Sequence, residues 1–399
     1  MKLEHSFVPL GFAWSSPFAR WQGPLAEVNS IDLAVDVTNR ALKERGLSPE
    51  EVTNLVLGWT VPQKEIFYGA PTLAARLGAE GVTGPMVSQA CATSVACVGA
   101  AAANHEANAS GAGVTLVVTT DRTSNGPLVT YPSPSGPGGS PQVENWVLDS
   151  FARDPWAGAA MYTTGENVAA EAKITREELD EVTVLRHEQY QKSLKNGREF
   201  QRSYMVSVEV PKRRKEPTFV EEDSGVFPTT REGLAKLRPV APDGVVTYGN
   251  QTHPADGAAG LVVTSEERAR ELGQDGGIVR LLAVGFARVE KARMPKAPVP
   301  AAQAALADAG LKIENIDAIK THNPFAVNDV YFSRQTGVSL EEMNDYGSSL
   351  IFGHPQGPTG ARLIAELIEQ LRLRGGGTGL FTGCAAGDSG AALTLRVED

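Results

Sequence analysis

Cysteine is scarce in this sequence. Three cysteines in 399 residues exclude a fold held together by many disulfide bonds and are typical of a reducing compartment. None belongs to a Cys-x-x-Cys pair, and the six histidines are scattered, so the spacing indicates no metal site. No apolar run approaches the ~18 residues that span a membrane, and Met1–Ser6 has no apolar signal region. We therefore expect a soluble, cytoplasmic protein without a bound metal.

Excess positive charge is also absent. Acidic residues outnumber basic ones by 47 to 37, for a net charge of −10, so the chain has no overall basic footprint for nucleic acid. The exception is Lys212-Arg-Arg-Lys215, for which a solvated face is the ordinary interpretation and contact with the phosphates of a ligand the alternative. A hydrophobic fraction of 42% is enough to fill a sizeable core. The length predicts two or three domains, or one large α/β unit.

Two stretches of the chain resemble each other. Ala41–Leu55 and Ala305–Ile319 share Ala, Leu, Gly, Leu and Glu in place, with Gly46 matching Gly310, an offset of 264 residues. In the same register, Val114–Asp121 falls on Thr378–Ala385. Repetition of this kind indicates a duplicated unit. We interpret it as two copies of one βα unit, the first interrupted by residues 121–250.

The interrupting segment, residues 121–250, differs from the rest of the chain in composition and in predicted structure. Pro127–Pro141 is rich in Pro, Gly and Ser and predicts a long loop. Helices are predicted over Thr164–Lys173 and from a cap at Thr175 to about Asn196, and alternating valines at 206–210 predict a half-buried strand. Pro211–Pro228 is charged and expected to face solvent. The segment is typical of a lid or substrate domain.

Cys91 lies where a predicted strand, Met86–Gln89, gives way to a helix predicted from Thr93 to about Asn108, with Gly111-Ala-Gly as its stop. Unpaired N–H groups at a helix start favour the thiolate, so a lowered pKa and a nucleophilic role are expected. A buried structural cysteine is the alternative. With the 264-residue offset, Cys91 falls on Pro355, so we expect the loop containing His354 to approach the same pocket.

Four short motifs in their order resemble the thiolase family: Cys91-Ala-Thr93, His322-Asn-Pro-Phe325, Gly353-His354-Pro355 and Cys384-Ala-Ala386-Gly. Gly353–Arg362 is the most specific of these stretches, and the likeness covers nearly the whole chain. His322 stands where many thiolases have Asn and where the sterol-carrier-like branch has His.

The resemblance implies an α/β thiolase fold of two pseudo-equivalent βαβαβαββ halves, stacked α-β-α-β-α, with an inserted loop domain. We expect residues 1–120 and 251–275 to form the N-terminal half, 121–250 the loop domain that binds CoA, and 276–399 the C-terminal half.

The resemblance also implies roles. Cys91 would take the acyl group, His354 would activate it, Cys384 would be a second acid/base, and His322 would help form an oxyanion hole. The N–H groups of Cys91 and Ala386 would bind the other oxyanion. The expected substrate or CoA contacts are Met161, Asn250, Gly353, Phe325, Ala386 and Gly387. The expected activity is CoA-dependent cleavage of a 3-oxoacyl-CoA, or the reverse Claisen condensation, with CoA as substrate and no bound cofactor.

Departures from the family pattern lie at Thr93, at Asn323-Pro324 and at Ala386; they suggest an unusual, branched or aromatic acyl group. The alternatives are a decarboxylating or hydroxymethylglutaryl-type condensing enzyme, and an inactive or partner-dependent scaffold subunit. Expected partners are acyl-CoA, CoA and further copies in a homodimer or homotetramer. A small OB-fold/zinc-ribbon subunit stays open, and neither nucleic acid nor membrane is expected.

Other candidates are weaker. Cys97 is expected to pack within the helix, and His253 is assigned equally to a structural or a pocket-lining role. His5, His105 and His187 are expected at the surface.

Overall fold

The computed structural model describes residues 1–108, 113–212 and 214–398. Gly111 and Ala112 of the expected helix stop, and Arg213 of the basic run, lie outside these ranges. The strands of the described part are β1 (Phe7–Pro9), β2 (Ala13–Ser15), β3 (Ala19–Arg20), β4 (Asn54–Gly58), β5 (Met86–Val87), β6 (Thr115–Arg122), β7 (Leu128–Tyr131), β8 (Gln142–Asn145), β9 (Val208–Lys212), β10 (Lys215–Val220), β11 (Ala255–Val263), β12 (Ile278–Arg288), β13 (Ala318–His322), β14 (Gly377–Ala385) and β15 (Ser389–Glu398).

The α-helices of the same ranges include both long packing helices and single turns. They are α1 (Ser30–Glu44), α2 (Gly69–Leu77), α3 (Thr93–Ala107), α4 (Trp146–Ala152), α5 (Met161–Ala172), α6 (Arg176–Ser193), α7 (Lys195–Tyr204), α8 (Arg231–Ala235), α9 (Glu266–Leu272), α10 (Pro298–Ala309), α11 (Ala326–Thr336), α12 (Ser349–Phe352) and α13 (Pro358–Arg372).

Two sheets repeat one topology. The first has the order β2-β11-β6-β4-β5 and the second β1-β12-β15-β14-β13. In each sheet, a long strand, β11 or β15, is antiparallel to both of its neighbours. The equivalent strands β4 and β13 are then parallel to β6 and β14, respectively. The 264-residue offset carries Asn54–Gly58 onto Ala318–His322, the bounds of β4 and β13. The expected pair of equivalent halves is confirmed.

The helices complete five layers. α3 and α13 pack against each other between the sheets, α1 and α2 cover the outside of the first sheet, and α10 covers the outside of the second. All residues of α13 except Arg372 are buried, as a helix surrounded by protein requires. This is the expected α-β-α-β-α stack.

A buried charge network ties the 121–250 segment to the central helix. Arg362 on α13 donates two hydrogen bonds to Asp223, at 2.6 and 2.7 Å. Glu366, one turn later, accepts from Lys320 Nζ at 2.9 Å and from the Tyr204 hydroxyl at 2.8 Å. Each charge thus meets an opposite charge or a donor, which buried ions require. The network fixes the segment over the point where the two halves meet.

Several local predictions need correction. Pro127–Pro141 is not one long loop, because β7 pairs with β8 in a hairpin. Most described residues of Pro211–Pro228 are exposed, as expected, and the segment contains β10, which pairs with β9. The helix capped by Thr175 ends at Ser193, earlier than predicted. His105 was predicted at the surface but is 1% exposed, with Nε2 3.0 Å from Thr115 Oγ1, because α3 lies in the central layer.

Within the described ranges, no helix has both the length and the apolar character that crossing a membrane would take.

Candidate active site

The turn before α3 presents Cys91. Ala90 has φ +45°, a conformation that side-chain-bearing residues rarely adopt. The hydroxyl of Thr93 stabilises the turn, since it accepts from the Gln89 N–H at 2.9 Å and donates to the Ala90 carbonyl at 2.7 Å. Thr93, a departure from the family motif, therefore fixes the backbone beside the half-buried Cys91.

Cys91 meets a histidine from the other half of the chain. Its Sγ lies 3.0 Å from His354 Nε2 and 3.3 Å from Gln356 Oε1. The Nδ1 of His354 is 2.5 Å from Thr359 Oγ1, which orients the ring. A thiol, a base and a group that orients the base form the arrangement of an activated nucleophile.

The loop that carries His354 depends on a glycine. Gly353 has φ +91°, and a Cβ there would lie 2.6 Å from His253 Cε1. The His354 N–H donates to the His253 carbonyl at 2.9 Å. His253 therefore has a structural role beside the site.

Two further predicted residues complete the cluster from the ends of β13 and β14. The His322 ring centroid is 4.1 Å from that of His354, and its Nδ1 is 2.8 Å from Ser349 Oγ. His322 Nε2 is buried and has no hydrogen-bond partner among the described residues. Cys384 is also buried, and its Sγ lies 3.3 Å from Asn328 Nδ2.

The expected low thiol pKa is wrong. Burial raises the pKa of Cys91 to about 12, an effect that the N–H groups of Ala386 and Cys91 itself oppose and that the carboxyl of Asp121 increases. Burial also holds the pKa of His354 well below its usual value, to which the neighbouring His322 adds. The resting pair is therefore a neutral thiol beside a neutral imidazole, which suits proton transfer during attack.

Burial also favours the neutral forms of His322 and Cys384. It lowers the pKa of His322 to about 3, so this imidazole is neutral in the working range of pH. It raises the pKa of Cys384 well above its usual value; the nearby Cys91 adds to this rise and the Asn328 amide opposes it. Cys384 therefore rests as a protonated thiol.

The remaining predicted contacts divide into two groups. Ala386 and Gly387 lie two and three residues after Cys384, and the Gly387 N–H donates to Asp154 Oδ2 at 3.0 Å. Met161 is half-buried at the start of α5, and Phe325 is 4% exposed at the start of α11. Neither contacts the thiol cluster by any hydrogen bond or ring contact within the described part.

Asn250 is buried and its side chain has partners within the protein, while its contact with substrate or CoA stays a prediction. Its Oδ1 accepts from the Thr247 N–H at 2.8 Å, and its Nδ2 donates to the Val245 carbonyl at 3.1 Å and to Asp180 at 3.3 Å. The side chain is therefore used to hold the 245–250 loop.

Comparison with known families agrees with this geometry. The model of the thiolase N-terminal domain matches residues 12–267, and that of the thiolase C-terminal domain matches residues 277–397.

The chain belongs to the thiolase family.

Relatives support the assignment along the full length. The acetyl-CoA acetyltransferase of Pseudomonas aeruginosa is 30% identical over 382 residues, covering 94% of this chain and 95% of that protein. Among solved structures, the Bacillus anthracis acetyl-CoA acetyltransferase has a TM-score of 0.90 at 29% identity and 99% coverage of both chains. Human mitochondrial 3-ketoacyl-CoA thiolase in complex with CoA has a TM-score of 0.89 at 25% identity, again with 99% coverage of both. This thiolase is an acyltransferase.

The structure adds residues that the sequence did not single out in this thiolase. Thr359 and Ser349 orient the two histidines, Asn328 contacts Cys384, and Gln356 contacts Cys91. Thr359 could have been found, because it lies in the motif that contains His354. Asn328 gives no local signal, since its contact with Cys384 depends on how α11 packs beside β14.

Asp121 is the most consequential of the residues missed. It is the second-last residue of β6 and is fully buried, with Oδ1 accepting from the N–H groups of Thr60 and Val61, each at 2.8 Å. Its Oδ2 accepts from the Thr60 hydroxyl at 2.9 Å and from the Gly357 N–H at 2.8 Å. Since Gly357 follows His354 by three residues, Asp121 positions the loop that carries His354 against the other half of the chain.

We expect Asp121→Asn to lower kcat about 100-fold, the size of effect that a 1 Å misplacement near the chemistry can have. In either orientation of the substituted side chain, its NH₂ group would face a backbone N–H that now donates a hydrogen bond to the carboxylate. Asp32→Asn, on the exposed face of α1, is the control and should leave kcat unchanged. Wild-type kcat in the Asp121 variant would contradict the positioning role.

The same residue predicts a dependence on pH. Burial raises the pKa of Asp121 from 3.8 to about 7, despite the four donors. Protonation below pH about 7 should weaken the Gly357 contact and lower activity, and this acidic limb should be missing from the Asn variant. For stability the sign is opposite: the raised pKa stabilises the fold at low pH, and this contribution is lost as pH rises through about 7.

Proposed function

We propose that this thiolase cleaves a 3-oxoacyl-CoA with CoA, or runs the reverse Claisen condensation, through an acyl-Cys91 intermediate. The observation that carries the proposal is the meeting of Cys91, His354, His322 and Cys384. They come from the turn before α3, the loop before α13 and the ends of β13 and β14. The Sγ of Cys91 and one ring nitrogen each of His322 and His354 all lie within 4.8 Å of one another.

The first half-reaction uses the neutral thiol–imidazole pair. As Cys91 Sγ attacks the 3-oxo carbon, its proton passes to His354 Nε2, and the carbonyl oxygen gains negative charge. The C2–C3 bond then breaks, leaving the acyl group on sulfur and the electron pair on C2 as a thioester enolate. Cys384 gives its proton to C2, and acetyl-CoA leaves. Hydrogen-bond donors aimed at such oxyanions are worth roughly 2.7–4 kcal/mol each elsewhere.

The second half-reaction returns the enzyme to its starting state. Cys384, now a thiolate, takes the proton of the incoming CoA thiol, whose sulfur attacks the acyl carbon. The Cys91–acyl bond breaks, and Cys91 recovers its proton from His354. The N–H of Ala386, which already faces the Cys91 sulfur, supports a role in binding the developing oxyanion.

For the acyl group we propose an unusual, branched or aromatic chain. Ala386 adds a methyl group beside the thiol, and Gln356 sets an amide 3.3 Å from Cys91 Sγ. Met161, Phe325, Gly353 and Gly387 are proposed to line the path for substrate and CoA. A cytoplasmic location remains our expectation.

A homodimer or homotetramer is also proposed. Strand β5 is an edge of its sheet, and exposed apolar side chains lie near it: Phe67 is 79% exposed, Tyr68 68% and Met86 39%. Such a surface favours association. A small OB-fold/zinc-ribbon subunit is a further proposed partner. Whether activity needs a co-purifying protein tests for it.

Intact-protein mass tests the proposed reaction. Wild type and Cys91→Ala are incubated with linear, branched and aromatic acyl- and 3-oxoacyl-CoAs. An adduct on the wild type alone, discharged by free CoA, is expected, and its mass identifies the acyl group. No adduct from any thioester, with or without co-purifying protein, would overturn the proposal in favour of a scaffold subunit.

A further inference from the structure

We propose that Cys91, His354 and His322 form a binding site for a thiophilic divalent cation such as Zn²⁺, and that the ion inhibits this enzyme reversibly. The ion would be an inhibitor and not a cofactor, since it would occupy the sulfur that the proposed acyl transfer uses. One thiol and two imidazoles are the ligand types that Zn²⁺ prefers, with a fourth position left open.

The distances suit such a site. Zn–S and Zn–N bonds of about 2.3 and 2.0–2.1 Å place tetrahedral donors roughly 3.3–3.7 Å apart. Cys91 Sγ and His354 Nε2 are 3.0 Å apart, and one donor atom from each of the three side chains lies within 4.8 Å of the others. A decrease of little more than an ångström in the widest of these separations would therefore close the set around one ion.

A second observation points to a ligand at the same place. His322 is 1% exposed, yet its Nε2 has no hydrogen-bond partner among the described residues. Its Nδ1 is already used by Ser349, which leaves Nε2 as the atom free to bind. A buried polar atom without a partner is unfavourable, and coordination to an ion would satisfy it.

Hydroxyl groups that fix the orientation of both histidine rings are also present. Histidines that bind metals usually use the other ring nitrogen for a hydrogen bond that fixes ring orientation. Here Thr359 Oγ1 lies 2.5 Å from His354 Nδ1 and Ser349 Oγ lies 2.8 Å from His322 Nδ1. Both rings therefore need little reorganisation to receive a cation.

Binding converts Cys91–SH and M²⁺ into Cys91–S–M⁺ and one proton, with no change of oxidation state. The half-exposed Cys91 gives the ion a way in. Since the sulfur is then blocked, inhibition should be competitive with acyl-CoA and reversed by EDTA.

The test uses Co²⁺ as a spectroscopic probe of the metal-free enzyme, without any acyl-CoA. We expect one Co²⁺ per chain, with a thiolate-to-cobalt charge-transfer band and the intense visible bands of tetrahedral cobalt. Cys91→Ala should abolish the charge-transfer band. His322→Asn should weaken binding more than about 10-fold, because loss of even an outer partner of a ligand costs 10–100-fold.

Two matched variants serve as controls. Cys97→Ala removes the buried cysteine one and a half turns along α3, and His187→Asn removes a half-exposed histidine on α6. Both should bind Co²⁺ as the wild type does. Absence of binding, a charge-transfer band that persists in Cys91→Ala, or affinity unchanged in His322→Asn would each overturn the site. Because no thioester is present, these results are independent of whether the proposed acyl transfer is correct.

Discussion

Replacing Cys91 with Ala is expected to lower the rate of 3-oxoacyl-CoA cleavage by at least ~10⁴-fold, since the acyl group loses its only proposed attachment point. Steady-state thiolysis, followed by loss of the 3-oxoacyl-CoA, measures the effect. The fold should persist, because Cys91 is half-buried in a turn and the Thr93 hydroxyl contacts that stabilise this turn involve only backbone groups of Gln89 and Ala90.

Cys97→Ala is the matched control. Cys97 is 0% exposed on α3, the helix that follows Cys91, and its Sγ packs near Gly58. We expect its loss to cost on the order of 1 kcal/mol in stability and to leave kcat within about threefold. Equal loss of activity in both variants would mean that disturbance of α3, rather than loss of a nucleophile, explains the result.

Cys384→Ala should divide the reaction into its parts. Protonation of the enolate carbon loses its acid, so cleavage should fall about 10²–10⁴-fold, the usual contribution of one acid/base group. Acylation of Cys91 by a simple acyl-CoA breaks no carbon–carbon bond, and there Cys384 only returns a proton to the departing CoA sulfur. Because a thiolate leaves far more readily than a carbanion, this rate should fall much less than cleavage does, measured as appearance of the Cys91 adduct by mass.

This division separates Cys384 from a structural cysteine. If both cleavage and acylation fell together, Cys384 would be holding the β14 end in place rather than transferring a proton. If neither fell, the decarboxylating or hydroxymethylglutaryl-type alternative would gain, because condensation would then be running without a second thiol.

The neutral state of the Cys91–His354 pair changes how the site is understood. A helix start alone suggested a thiolate, but removal of the sulfur from water outweighs the nearby N–H groups, and burial raises the pKa of Cys91 to about 12. Reagents that need a preformed thiolate should therefore react slowly with Cys91. Substrates positioned so that the thiol proton passes to His354 during attack should react faster.

Much of the architecture was determined by the sequence itself. Helix ends depend on a few neighbouring residues, so the capping box at Thr175 could be located without tertiary information. The 264-residue repeat predicted two equivalent halves, and the motif spacing predicted that Cys91 and His354 would share a pocket.

Only the tertiary structure decided what surrounds those residues. The contact between Asp121 and Gly357 joins positions 236 residues apart, and no local pattern encodes it. The burial of His105, the use of the Asn250 amide within its own loop and the direction of each pKa shift likewise depend on packing between distant segments. Propensity and capping act within one or two turns of chain, whereas solvation and hydrogen-bond partners are set by whatever the folded layers bring together.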